Sequence, residues 1–189
     1  GQNIQAHKSA KDWEILAPTS VELDLTDQKA VCAYIKMHKP EVVVHAAGRV
    51  GGIQANIANP VGFLDSNNVI GRNVIMGAWT EGVRHLINLG STCMYPAAAP
   101  NPLSEDMILT GPLEATNEGY ALAKIMAMRL CNYINREDPK ARYKTLIPCN
   151  LFGPHDKFDP KYSHLLAAII HKVHQAKIEG AQNVEIWGN

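Results

Sequence analysis

Val42-Val43-Val44-His45-Ala46-Ala47 is a run of β-branched and small residues, apolar on both faces and closed by Gly48. A strand that does not alternate belongs to a parallel sheet covered by helices rather than to a half-solvated antiparallel one. Upstream, Asp27 to His38 places Val31, Ala33, Tyr34, Ile35 and Met37 on a helix, which Lys39-Pro40 ends. Before it, Glu14-Ile15-Leu16-Ala17 reads as a first short strand closed by Pro18. Downstream, Phe63 to Gly82 reads as a long helix carrying Asn67, Ile70, Val74 and Ala78, and Leu86-Ile87-Asn88-Leu89 as a second buried strand. Asn117 is placed to cap a helix over 118–135; Thr145 to Leu151 reads as a strand, Leu165 to Lys177 as a helix, and Val184 to Trp187 as a last short strand. This alternation predicts an α/β fold: a doubly wound, Rossmann-like parallel sheet with helices on both faces, incomplete at its N-terminal strand. Residues 1–189 read as a single domain for nucleotide cofactor and catalysis, with 155–189 leading into the substrate-binding part.

Composition narrows the function classes. The 189 residues carry 18 Lys+Arg against 18 Asp+Glu, and 46% are hydrophobic, which suits one well-packed domain. Zero formal charge argues against a nucleic-acid partner. No apolar run approaches the roughly 18 residues that span a bilayer, and no signal peptide opens the chain, so the expectation is a cytoplasmic protein with no membrane partner. Cys32, Cys93, Cys131 and Cys149 are scattered and form no C-x-x-C pair, so neither a disulfide framework nor a metal site is expected. His171 and His174 read as a solvated helix face.

Ligands of doubly wound sheets sit outside the carboxyl ends of the strands. Ala47-Gly48, Ser91-Thr92-Cys93 and Cys149-Asn150 all fall there. Tyr120 and Lys124 add a Y-x-x-x-K pair, which returns both side chains to one helix face. An ammonium near a phenol favours the phenolate, so Lys124 is expected to lower the Tyr120 pKa and ready it for proton transfer. The spacing alone also fits an amphipathic helix with a snorkelling lysine.

Ser91, Tyr120 and Lys124, in this order on strand end and helix, resemble the active site of the short-chain dehydrogenase/reductase superfamily. Longer motifs narrow the resemblance to the GDP-L-fucose synthases. They are Val50-Gly51-Gly52-Ile53, Ser91-Thr92-Cys93-Met94-Tyr95-Pro96, Thr110-Gly111-Pro112-Leu113, Cys149-Asn150-Leu151-Phe152-Gly153-Pro154-His155-Asp156, Ser163-His164-Leu165, His171-Lys172-Val173-His174 and Ile186-Trp187-Gly188. The resemblance implies an enzyme that epimerises C3 and C5 of GDP-4-keto-6-deoxy-D-mannose and reduces its C4 ketone with NADPH. It implies Ser91, Cys93, Tyr120, Lys124 and His164 as the catalytic set. Ser91 and Tyr120 would face the ketone oxygen, with Cys93 as base and His164 as acid. Tyr120 would protonate the C4 oxygen, and Lys124 would also hold the nicotinamide ribose.

For NADPH the resemblance adds Asp24 and Leu25 at the adenine, Ala46, Ala47 and Gly48 under the pyrophosphate and ribose, and Pro148 and Asn150 where strand meets cofactor. For the GDP-sugar substrate it adds Asn67, Asn150, His164, Lys172 and Trp187, although Asn67 also suits a structural bridge and Trp187 the core. Lys172 stands where the family often has arginine, keeping the charge without the bidentate fork. A homodimer through helices near 63–82 and 118–135 is implied, with Met76 and Met128 as interface candidates. Two departures accompany the likeness. The chain opens Gly1-Gln2-Asn3-Ile4 without a G-x-x-G-x-x-G loop, and so reads as the interior portion of a longer enzyme. The turn Pro18-Thr19-Ser20 lacks the family's frequent arginine; with two hydroxyls and no acidic residue there, NADPH is favoured and NADH stays open. Competing expectations are a related reductase or epimerase of GDP-6-deoxy-sugars or GDP-heptoses, and a non-catalytic GDP-sugar-binding relative.

Overall fold

The structure is a computed structural model that describes residues 1–158 and 163–185. The chain divides into two compact units, Leu16–Cys149 and a smaller one built from Gly1–Ile15 with Asn150–Asn189.

In the larger unit, β1 (Val42–His45), β2 (His85–Leu89) and β3 (Arg142–Leu146) form a parallel sheet in the order β1-β2-β3. His45 pairs with Asn88, and Asn88 with Thr145, so these three side chains share a face. α2 (Gln28–His38) precedes β1; α3 (Ile53–Ala58) and α4 (Pro60–Thr80) connect β1 to β2; α5 (Glu118–Glu137) connects β2 to β3. Asp27 caps α2 by accepting from the amides of Lys29 and Ala30, and Lys39 ends it in a left-handed turn.

Leu86 and Tyr143, neighbours in register, are buried with Ile75, Ala78, Ala127, Cys131 and Ile134. Each fully buried aliphatic side chain contributes roughly 1.5–3 kcal/mol. Two helical glycines permit the close packing. A Cβ on Gly71 would stand 3.5 Å from the Ala127 Cβ of α5, and one on Gly77 would stand 3.1 Å from Val31 Cγ1 of α2. The Tyr143 hydroxyl donates to the Val83 carbonyl at 2.9 Å, and Asn135 exchanges two hydrogen bonds with the Tyr143 backbone.

Four expectations change. β1 is not buried on both faces: Val42 is 49% and Val44 43% exposed, because among the described residues β1 bonds to β2 alone and these two valines lie on the face opposite buried His45. Glu14–Ala17 forms no strand; the boundary between the two units falls between Ile15 and Leu16. The last ladder runs over Arg142–Leu146 instead of 145–151, since buried Tyr143 anchors it and Pro148 has no N–H to donate. Val184 and Glu185 lie in no strand, and Ile186 and Trp187 fall outside the described residues.

The smaller unit holds α1 (Gln2–Gln5), a 3-10 turn over Lys8–Ala10 and α6 (Leu165–Glu179). His164 is the N-cap residue of α6, and Gly180 ends it at a φ of 69°. No helix among the described residues is long and apolar enough to cross a membrane.

Candidate active site

The site begins where β2 runs out. Gly90 N–H donates to the Leu146 carbonyl at 2.8 Å, and a Cβ there would come within 2.9 Å of Met94 Sδ. Lacking one, the chain folds at once into the 3-10 turn Thr92–Met94. Met94 is fully buried and anchors this turn. Its Sδ accepts from the Ser91 amide, and Ser91 Oγ accepts from the Cys93 amide, both at 3.4 Å. Ser91 and Cys93 are thus positioned by one turn pinned to the core.

α5 supplies the other half. Tyr120 and Lys124 stand one turn apart, with Lys124 Nζ 5.7 Å from the Tyr120 ring centroid. Lys124 is buried and donates to the Leu89 carbonyl at 2.8 Å. Burial raises the Tyr120 pKa above its ordinary value and negative charge on Cys93 adds to this, while the hydrogen bond from Ser91 opposes it. Burial lowers that of Lys124. The expected direction for Tyr120 is therefore reversed. Desolvation of the phenol dominates, and the ammonium spends a hydrogen bond on Leu89.

A third wall is the loop after β1. Asn67, on α4, accepts from the Arg49 amide at 2.9 Å and donates to the carbonyls of Arg49 and Phe63 at 3.0 and 2.7 Å. Its amide is committed to holding this loop, which is the structural role the sequence left open. A Cβ on Gly48 would lie 2.9 Å from Asn67 Oδ1 and 3.9 Å from Lys124 Nζ, so the backbone here approaches the lysine closely. Beneath the loop His45 is buried, and burial together with the Lys124 charge lowers its pKa to about 4.

Residues 2–189 match the family described as NAD dependent epimerase/dehydratase. The chain belongs to this family. GDP-L-colitose synthase of Yersinia pseudotuberculosis is 54% identical across the whole chain, which covers 61% of that protein. GDP-L-fucose synthase of Azorhizobium caulinodans is 53% identical, again across the whole chain, and 60% covered. A GDP-D-glycero-L-gluco-heptose synthase from Campylobacter jejuni, solved in the presence of NADPH, superposes with a TM-score of 0.87 at 34% identity, covering 95% of this chain and 52% of that one. The chain thus spans about three fifths of the length of these curated relatives.

The remaining candidates of this epimerase/dehydratase chain fall in both units. Asp24 closes a tight turn by accepting from the Thr26 amide and hydroxyl, which lower its pKa, and Leu25 packs on the core with its carbonyl accepting from Asn73. Ala46 and Ala47 are exposed at the end of β1, and Pro148 is half-buried after β3. At the Thr19 turn the expected absence of an acidic residue does not hold. Glu22 brings a carboxylate onto it, accepting from the Thr19 amide at 2.7 Å and its hydroxyl at 2.9 Å. One of the two hydroxyls assigned to a 2′-phosphate is thereby spent. Asn150, His164 and Lys172 belong to the smaller unit; Asn150 and His164 are exposed, and Lys172 Nζ donates to the Glu185 carbonyl at 2.9 Å. Trp187 lies outside the described residues. Among those residues, no three His, Cys, Asp or Glu side chains gather as a metal site would require. Sequence reading missed His45, and it also missed the contact Asn117 makes with Cys93.

Proposed function

We propose that this protein is an NADPH-dependent enzyme that epimerises C3 and C5 of GDP-4-keto-6-deoxy-D-mannose and reduces C4, giving GDP-L-fucose. The observation that carries this reading is the convergence of Ser91, Cys93, Tyr120 and Lys124 on the carboxyl end of β2. Enolate chemistry beside a ketone needs donors aimed at the oxygen and a base beside the ring, and this cluster supplies both. Cys93 takes a ring proton, Ser91 and Tyr120 hydrogen-bond the ketone oxygen, and Tyr120 finally protonates it. His164 is assigned the acid role on the opposite face, following its place in the Ser163-His164-Leu165 motif. Asn150, Lys172 and Trp187 are assigned to the GDP-sugar.

The residues present fit the ribose end of a nicotinamide cofactor: a buried lysine, a tyrosine hydroxyl and the side-chain-free backbone of Gly48 meet there. When bound, NADPH supplies the hydride for C4. Asp24, Leu25, Ala46, Ala47 and Pro148 are assigned to the rest of its length. Four free thiols suit a reducing cytoplasm.

The 54% identity to a GDP-L-colitose synthase favours a second reading, in which the sugar lacks the C3 hydroxyl. C3 then has no configuration to invert. Turnover of GDP-4-keto-6-deoxy-D-mannose in deuterated water separates the two by NMR. Deuterium at C3 and C5 of a GDP-L-fucose product is expected. Faster turnover of the 3-deoxy ketosugar would move the assignment to colitose, and inactivity on both substrates would sink the enzyme reading.

We further propose a homodimer through α4 and α5. Met76 and Met128 are partly buried and pack against the core clusters. Val61, Leu122 and Tyr133 are the exposed apolar residues on these helices. Light scattering at micromolar concentration should give the mass of two chains; a monomer mass rejects the dimer.

A further inference from the structure

Asn117 occupies the N-cap position of α5, where a side-chain oxygen ordinarily accepts from the first helical amides. It makes no such bond. Its Nδ2 donates instead to Cys93 Sγ at 3.3 Å, across 24 residues of sequence, and its Oδ1 is left out of solvent with no donor. An asparagine that forgoes the cap and leaves its own carbonyl unsatisfied breaks a local rule, and such breaks concentrate where function demands them. The sulfur it holds lies on the turn that carries Ser91, beside Tyr120.

We propose that Asn117 is a positioning residue for Cys93: its amide N–H fixes the direction of the sulfur lone pairs and supports negative charge on the sulfur when it acts as base. This rests on the base role assigned to Cys93 above. Asn117 joins α5, which carries Tyr120 and Lys124, to the turn that carries Ser91 and Cys93. The proton-abstracting group and the oxygen-binding groups are thereby held in one register.

The test is the alkylation rate of Cys93 by iodoacetamide at fixed neutral pH in the intact protein, resolved peptide by peptide by mass spectrometry. It needs neither substrate nor cofactor. Exposed Cys149 serves as the internal reference. Asn117→Leu removes the donor at similar volume, and Cys93 should react about tenfold more slowly, as loss of a hydrogen bond to a charged group implies. Asn117→Asp keeps an excellent N-cap residue and so preserves the helix, yet sets a carboxylate against the sulfur; it should be slower still. Cys149 should react as before, and the thermal midpoint of Asn117→Asp should not fall. A Cys93 rate within about twofold of native in both variants, less than a charged hydrogen bond contributes, overturns the proposal. So does a parallel change at Cys149, which would mark a general structural effect. Substrate ring-proton exchange is followed in the same variants. Slowed alkylation with unchanged exchange upholds the hydrogen bond and overturns the base role of Cys93.

Discussion

In the reaction proposed here, removing a single oxygen from Tyr120, by Tyr120→Phe, should slow ketone reduction by about 10²–10⁴-fold, the span of a lost general acid. Binding of NADPH and GDP-sugar should weaken far less than reduction, because Lys124 and the close backbone of Gly48 stay in place at the ribose end. The protonation state argues for the acid role. Burial and the neighbouring Cys93 charge both push the Tyr120 pKa up, so the phenol keeps its proton at neutral pH and can deliver it to an oxygen gaining charge. Ser91 favours the ionised hydroxyl and opposes this rise without overcoming it. Lys124, held on the Leu89 carbonyl, then acts chiefly by placement and field rather than by generating phenolate in advance. Single-turnover NADPH absorbance measures the reduction, and ring deuteration measures the epimerisation separately. Cys93 and Ser91 remain, but the Tyr120 hydroxyl is also one of the two donors to the enolate oxygen, so deuteration should decline as well, though by less than hydride transfer. A variant that keeps more than about a tenth of native reduction would fall outside the range for a general acid and assign that proton to another group.

What the sequence made legible follows from range. α2, α4, α5 and α6 are written in local periodicity and local stops such as Lys39-Pro40, and each was placed close to its observed limits. The carboxyl end of β2 was equally plain, since Ser91-Thr92-Cys93 must follow a strand as apolar as Leu86–Leu89. Features set by partners distant in sequence were not. Val42–Val44 looks fully buried, yet how many strands flank β1 is a fact about the whole sheet. Arg142 and Lys144 hid the start of β3, because a strand can turn such side chains outward while Tyr143 points into the core. At the site, Thr19 seemed free for a phosphate because Glu22 is three residues away, and only the fold of the turn brings its carboxylate back. Asn67 and Asn117 show the same limit. Asparagine serves equally as cap, clamp or ligand, and its partner is chosen in three dimensions.

Acidification should cost this fold about 3 kcal/mol through one side chain, His45, whose folded pKa of about 4 lies well below the ordinary 6.5. The first cause is burial: the imidazole ends β1 beneath α4, where a Cβ on Gly71 would stand 3.8 Å from its Nε2. The Lys124 charge adds to it. The sign follows from proton counting. Between the two pKa values the unfolded chain binds a proton that the native state refuses, so stability declines as pH falls through this window. It is fully present above 6.5, and the loss from this group levels off below about 4. Against a typical total of roughly 5–15 kcal/mol the term is large. Urea unfolding of native protein and His45→Leu, compared at pH values across the window, isolates it. The leucine cannot titrate, so its stability should fall less steeply with acid, and the native-minus-variant difference should drop by about 3 kcal/mol across the window. Parallel curves would mean that His45 takes up its proton inside the fold. Lys124 would then have to tolerate a second positive charge beside it, and the loop over Gly48 would have to admit the water that makes this affordable.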